Sequence, residues 1–317
     1  MENYYKSKGM DKFPIIQKLQ GTGFEEQFIN LVNFAVPILD GGPLLKSIGF
    51  TPHDFSHHCK NIYKILERIL PEEFYIQNRA GENLFVLLVS VLFHDIGMTK
   101  EWSEKVRNEH SLLSREFILE HYENNDVNSV IMQNLKKVYA EYVGDIIYAH
   151  SDIKENGVLK IDTFDEICQK YEEKRKPTMG EHEKINVPFL TALLRLADEL
   201  DISYERIENT YYSKMKNIPS SFQHFRLCEL FENVGKDGDT LIIEVDERKY
   251  NTGEEHEKSS KAASIIERYE KICKEFRMLK DRVLCNTKHA SADIWDIRKI
   301  QLVDEEKFIE QAKKKEL

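Results

Sequence analysis

Residues 82–95, ENLFVLLVSVLFHD, are apolar around the whole circumference of a helix and stop on a histidine and an aspartate. A helix with no polar face has to lie in the middle of a protein, so the chain must fold around this segment. The apolar run at 84–93 is too short to span a bilayer, which makes it a core helix and not a membrane span. Its ending raises the chemical question. An imidazole and a carboxylate buried side by side are costly unless both find strong partners, and a metal ion satisfies both at once.

Neighbouring residues on a helix diverge by about 100°. His94 and Asp95 therefore reach one ion only where the backbone unwinds toward a pocket, and Gly97 just beyond them is a natural stop. A carboxylate placed there can bridge two cations while the imidazole holds one of them. Nitrogen and oxygen donors without thiolate suit Mn, Fe, Co, Ni or Mg, with Zn less indicated.

The surrounding sequence supplies covering helices. Apolar residues recur at three and four over residues 11–200, predicting helices near 56–70, 82–95, 109–122, 127–149, 161–174 and 187–201. Residues 172–186 are charged, carry Pro177 and Gly180, and read as an exposed loop. After about residue 203 the character changes: 240–245 and 297–303 have strand composition, with a long helix near 258–284 between them. The predicted fold class is mainly α, a helical bundle over residues 1–205 with a smaller C-terminal α+β annex over 206–317. Ile265, Tyr269, Ile272, Phe276, Leu279 and Val283 form one stripe on the long helix, which either packs on the annex strands or joins two copies into a homo-oligomer. The terminal EQAKKKEL reads as a solvated tail.

Composition narrows the classes. With 317 residues and 41% hydrophobic content, a sizeable core forms without staples. Five cysteines, an odd number with no CxxC, point to a reducing compartment, and the opening MENYYKSKGMDKFPIIQ lacks the pattern of a signal peptide, so the expectation is a cytoplasmic protein. A net charge of -10 disfavours broad nucleic-acid binding and favours a small anionic substrate bridged by metal. There is no GxSxG and no GxxxxGK[ST], which removes serine-triad and P-loop chemistry.

Six of the eleven histidines fall between residues 53 and 121, and His150 follows. A second acid, Asp198, sits in LLRLADELD, with Arg195 one turn before it. On spacing alone, Arg195 and Asp198 form an i,i+3 ion pair or serve a site together.

The ordered set His58, His94-Asp95 and Asp198 resembles the H…HD…D signature of the HD superfamily of metal-dependent phosphohydrolases. FTPHDFSHHCKNIYKIL is similar to that family's opening helix, where the ligand histidine precedes an aliphatic residue by four, as His58 precedes Ile62. His53 and His57 remain alternative ligands or substrate contacts. LLRLADELD resembles the segment found in stand-alone HD domains and in the helical region of exopolyphosphatase-type proteins. The resemblance spans roughly residues 50–205 and leaves the annex uncovered.

His110 and His150 match places where two-metal members carry extra ligands; otherwise His110 reads as a surface histidine and His150 as a core or cap histidine. The resemblance implies hydrolysis of a phosphoester, with a nucleotide or cyclic nucleotide as the leading substrate. Asp95 would bridge, His58, His94 and Asp198 would complete the first ion's shell, and His110 and His150 would hold the second. Arg195 or Lys100 could clamp a phosphate oxygen, or be respectively a partner of Asp198 and a solvated lysine. Asp54, Asp152 and Asp201 are candidates for supporting contacts. The rival readings are a nucleotide-sensing or partner-binding module that keeps the fold, and an HD-type nuclease. A degenerate sensor would be expected to have lost His94, Asp95 or Asp198, and the acidic charge disfavours the nuclease.

Overall fold

The computed structural model describes residues 3–41, 54–76, 79–99, 104–155, 158–174, 185–202, 226–284 and 295–314. The longer helices are numbered here in chain order. In the N-terminal part they are α1 (Glu25–Gly41), α2 (Lys60–Ile69), α3 (Ala80–Phe93), α4 (Glu104–Glu123), α5 (Lys137–Tyr148), α6 (Thr163–Lys174) and α7 (Val187–Glu199). The fold is mainly α, as the spacing predicts.

The apolar helix is central. Every residue of α3 from Asn83 to Phe93 is buried, and α1, α2, α5 and α7 all pack against it. By length and composition Ala80–Thr99 could cross a membrane, but 89% of that window is spent inside the fold. Gly97 has no positive φ. Its role is close approach: a Cβ there would lie 2.6 Å from the Ser114 backbone nitrogen and 2.7 Å from the His110 carbonyl oxygen. Only glycine lets the turn after α3 lie flat on α4, and the Gly97 N–H donates to Ser114 Oγ at 2.8 Å.

Three local expectations are corrected. The helix expected over 127–149 is broken into Val130–Asn134 and α5, because Leu135 turns extended at φ -127° and ψ 108°. A small antiparallel hairpin, β1 (Ile153–Glu155) with β2 (Val158–Ile161), follows α5 in the half read as helical. The C-terminal tail is helical through α9 (Glu305–Lys313), where Phe308 is buried and Gln311 donates to Glu255 and Ser259. The loop at 172–186 falls largely outside the described residues.

Beyond residue 226 lies a three-stranded sheet: β3 (Phe231–Asp237) pairs antiparallel with β4 (Thr240–Val245), which pairs parallel with β5 (Lys299–Leu302). The β3–β4 hairpin turns on Gly238 at φ +55°, the conformation that glycine adopts without strain. A parallel pair needs a crossover, and α8 (Glu255–Leu279) lies within it, continuing into a wider turn at Lys280–Leu284. The stripe Ile265, Tyr269, Ile272, Phe276, Leu279 and Val283 is buried inside the chain, against α7, β5 and α9. It is packing and not a seam for a second copy. Among the described residues, nearly all the buried apolar side chains form one continuous cluster that runs from Tyr5 to Phe308.

Candidate metal centre

The site forms where α3 ends. His94 closes the helix in αR geometry, and Asp95 follows at the unwinding turn, 3% exposed. The His94 Nδ1–H faces the Val91 carbonyl at 2.8 Å, one turn back. That bond places the proton on Nδ1 and leaves Nε2 as a bare lone pair.

His58 arrives from a π-helical turn at Phe55–Cys59, which leads into α2. The turn is wide because Cys59 N–H reaches back five residues to the Asp54 carbonyl, a distortion often found at functional sites. Its start is held from α1: the Asp40 carboxylate accepts from Phe55 N at 3.1 Å and Ser56 N at 3.2 Å, and pairs with Lys8 at 2.6 Å. His58 Nδ1 donates to Asp201 Oδ2 at 2.6 Å, and Asn61 donates to the other oxygen of Asp201 at 3.2 Å. His58 Nε2 therefore also presents a lone pair.

These lone pairs converge. His58 Nε2 lies 3.0 Å from His94 Nε2 and 3.3 Å from both Asp95 Oδ2 and Asp198 Oδ1, while His94 Nε2 lies 3.2 Å from Asp95 Oδ2. Such donors repel unless a cation lies among them. Ligands bound to one small divalent cation at about 2.1 Å are spaced about 3.0 Å apart in an octahedron and about 3.4 Å in a tetrahedron. The observed spacings fit that shell.

A second group stands on the other side of the same carboxylate. His110 of α4 and His150, just past α5, bring their Nε2 atoms within 3.0 Å of each other and within 3.4 and 3.6 Å of Asp95 Oδ1. His150 Nδ1 donates to the Ile147 carbonyl at 2.6 Å, which again frees Nε2. Asp95 thus turns one oxygen to each group, and the two sets His58, His94, Asp95 and Asp95, His110, His150 could each hold an ion.

The electrostatics agree with this arrangement. Protonated imidazoles act on Asp95 as cations at the same positions would: burial alone would raise its carboxyl, but the charge of His94 and hydrogen bonds from His150, His58 and His94, donated by Nε2 atoms that in the neutral rings are the lone pairs, hold it well below the ordinary carboxylate range. Asp198, whose side chain is 31% exposed, is likewise opposed by burial and held low by His58 and His94. Two carboxylates facing two divalent cations would leave excess positive charge at the open side of the site, where Asp198 and His110 are reached by solvent. That field suits an anion.

The structure brings together His58, His94, Asp95, His110, His150 and Asp198. His57 turns away: its ring Nδ1 is 2.9 Å from Asp54, outside the cluster. His53 and Lys100 lie outside the described residues. Arg195 is described, and its guanidinium is committed to Asp152, Glu275 and the Ala149 carbonyl, not to Asp198. Cys59, beside His58, is fully buried with its thiol pushed well up by burial, which leaves it inert as a nucleophile. Asp40 was not foreseeable: nothing near it in sequence hints at a contact with residues 55–56. Asp201 carries a weak signal, three residues past Asp198 and just beyond the end of the same apolar helix.

A family model described as HD-CE matches residues 47–285, which is most of the chain and includes all six clustered residues. No curated protein and no solved structure matches the chain.

Proposed function

Because the chain belongs to the HD-CE family, we propose that it is a metal-dependent hydrolase that cleaves a phosphoester, with a nucleotide or cyclic nucleotide as the substrate class. The observation that carries this reading is the Asp95 carboxylate, whose two oxygens face two separate pairs of histidine nitrogens. A single structural ion would need only one of those pairs. When bound, two divalent cations supply Lewis acidity at a phosphoryl group and a more acidic attacking water.

The residues of the chain have distinct parts in that chemistry. His58, His94 and Asp198 would hold one ion and His110 and His150 the other, with Asp95 between them. Asp201 and the Val91 and Ile147 carbonyls lock the imidazoles of His58, His94 and His150 with their lone pairs inward, so these three ligands are preorganised for attack. Asp198 and His110 form the reachable side, where a phosphate enters. No protein nucleophile is required, and the protected Cys59 thiol is consistent with that.

A panel of phosphoesters, with nucleoside mono-, di- and triphosphates, cyclic nucleotides and single-stranded DNA, assayed with Mn or Mg against an Asp95→Ala control, tests the proposal. Metal-dependent release of product by the wild-type chain, lost in the variant, supports it. Turnover that survives the substitution contradicts it, and turnover of DNA alone would favour a nuclease.

A further inference from the structure

Arg195 is a cation with 6% exposure that reaches across to Glu275, and the proposed chemistry makes no use of it. It sits on α7, one turn before Asp198. Its NH1 group donates to the Ala149 carbonyl at 3.1 Å and to Asp152 Oδ1 at 3.0 Å, and NH2 donates to Asp152 Oδ2 at 3.3 Å. Its Nε donates to Glu275 of α8 at 2.6 Å. The plane of the guanidinium also lies over Phe164, 5.5 Å from the ring centre.

Ala149 and Asp152 flank the segment His150-Ser151. Ala149 is the C-cap of α5, so its carbonyl is among those a helix end leaves without an internal partner. One guanidinium therefore grips the chain immediately before and shortly after His150, while its own backbone belongs to the helix that carries Asp198. A fork of fixed geometry can do this; a lysine, with a single point of charge, cannot span the same acceptors. Glu275 holds the far edge of the fork and reaches it from the C-terminal crossover.

We propose that Arg195 is a positioning residue that sets the second ion subsite by fixing His150, and that Glu275 makes α8 part of the metal centre. The proposal rests on the two-ion reading. The grip falls on Ala149 and Asp152, either side of His150, and holds the segment whose ring the Ile147 carbonyl aims, whereas none of these contacts falls on the segments of His58 and His94, oriented by Asp201 and the Val91 carbonyl. Loosening it must therefore cost the His110–His150 side more than the His58–His94 side.

Mn binding to the full chain, followed by the spin-resonance signal of free Mn and by elemental analysis after desalting, tests this in Arg195→Lys, Asp152→Asn, Glu275→Gln and His150→Ala. The wild-type chain is expected to take up two ions. His150→Ala should keep one, and each of the other three should weaken one ion by about tenfold or more while leaving the other unchanged, the scale seen when an outer partner of a ligand is lost. Adding Arg195→Lys to His150→Ala should produce no further loss, since both act on one subsite. If Arg195→Lys does not fold by circular dichroism, the two carboxylate variants carry the test. Folded variants that bind both ions as the wild type does, or that lose both in parallel, overturn the proposal. A wild-type chain that binds fewer than two ions overturns the two-ion reading and this proposal with it.

Discussion

Asp201 Oδ2 lies 2.6 Å from His58 Nδ1, on the side of the ring that faces away from Asp95 and Asp198. The bond fixes which nitrogen of His58 carries the proton, and so which one can bind a metal. Both residues are fully buried, so no water can replace the contact. Asp201→Asn keeps an acceptor but removes the charge, and Asp201→Ala removes both. Metal affinity of the His58 side should fall by about 10–100-fold, more in the alanine variant, as read by competition with a metal-binding dye. Equal affinities in all three proteins would show that His58 is not oriented by Asp201.

Gly97→Ala tests the contact between the turn after α3 and α4. The new Cβ would meet the backbone at 2.6 and 2.7 Å and Leu113 Cβ at 2.8 Å, and backbone atoms cannot swing aside. A loss of about 1–3 kcal/mol in denaturant unfolding is expected, the usual cost of overpacking. Because α4 carries His110, the second ion should weaken as well. A variant as stable as wild type would mean that the turn and α4 separate easily.

Alkaline pH should destabilise the apo protein. Burial pushes the Cys168 thiol up to about 12, and the Tyr122 and Tyr148 hydroxyls up to about 12, aided at Tyr148 by its hydrogen bond to Glu166. In the unfolded chain these groups lose protons near about 8.5 for cysteine and about 10 for tyrosine. The native state binds the protons more tightly, so the contribution is complete below the unfolded values and is lost as pH rises toward 12. Urea midpoints should therefore drop between pH 8 and pH 11, and a flat midpoint would contradict this account.

The central helix and the His94-Asp95 pair were legible because their signals are local: apolar residues on every face, then two polar ones where the helix stops. His58 could be preferred over His57 because its four-residue spacing to Ile62 resembles the opening helix of the HD superfamily, and the structure places His58 beside His94 and Asp95 while the His57 ring turns to Asp54. Arg195 was less legible. Asp198 is its close neighbour on the helix, but Asp152 and Glu275 come from distant segments, and no local pattern encodes a partner 80 residues away. The β1–β2 hairpin did leave a trace, since Asn156-Gly157 stands between the paired Glu155 and Val158, and that dipeptide is a strong hairpin signal. Gly238-Asp239, between the paired Asp237 and Thr240, is the corresponding mark of the β3–β4 turn.

The most direct test of a shared Asp95 carboxylate is anomalous scattering from crystals grown with Mn. Two peaks are expected, one beside Asp95 Oδ2 among His58, His94 and Asp198, the other beside Oδ1 between His110 and His150, both absent in Asp95→Ala. A single peak in the wild type, or two that persist without the carboxylate, would contradict a bridged two-ion centre.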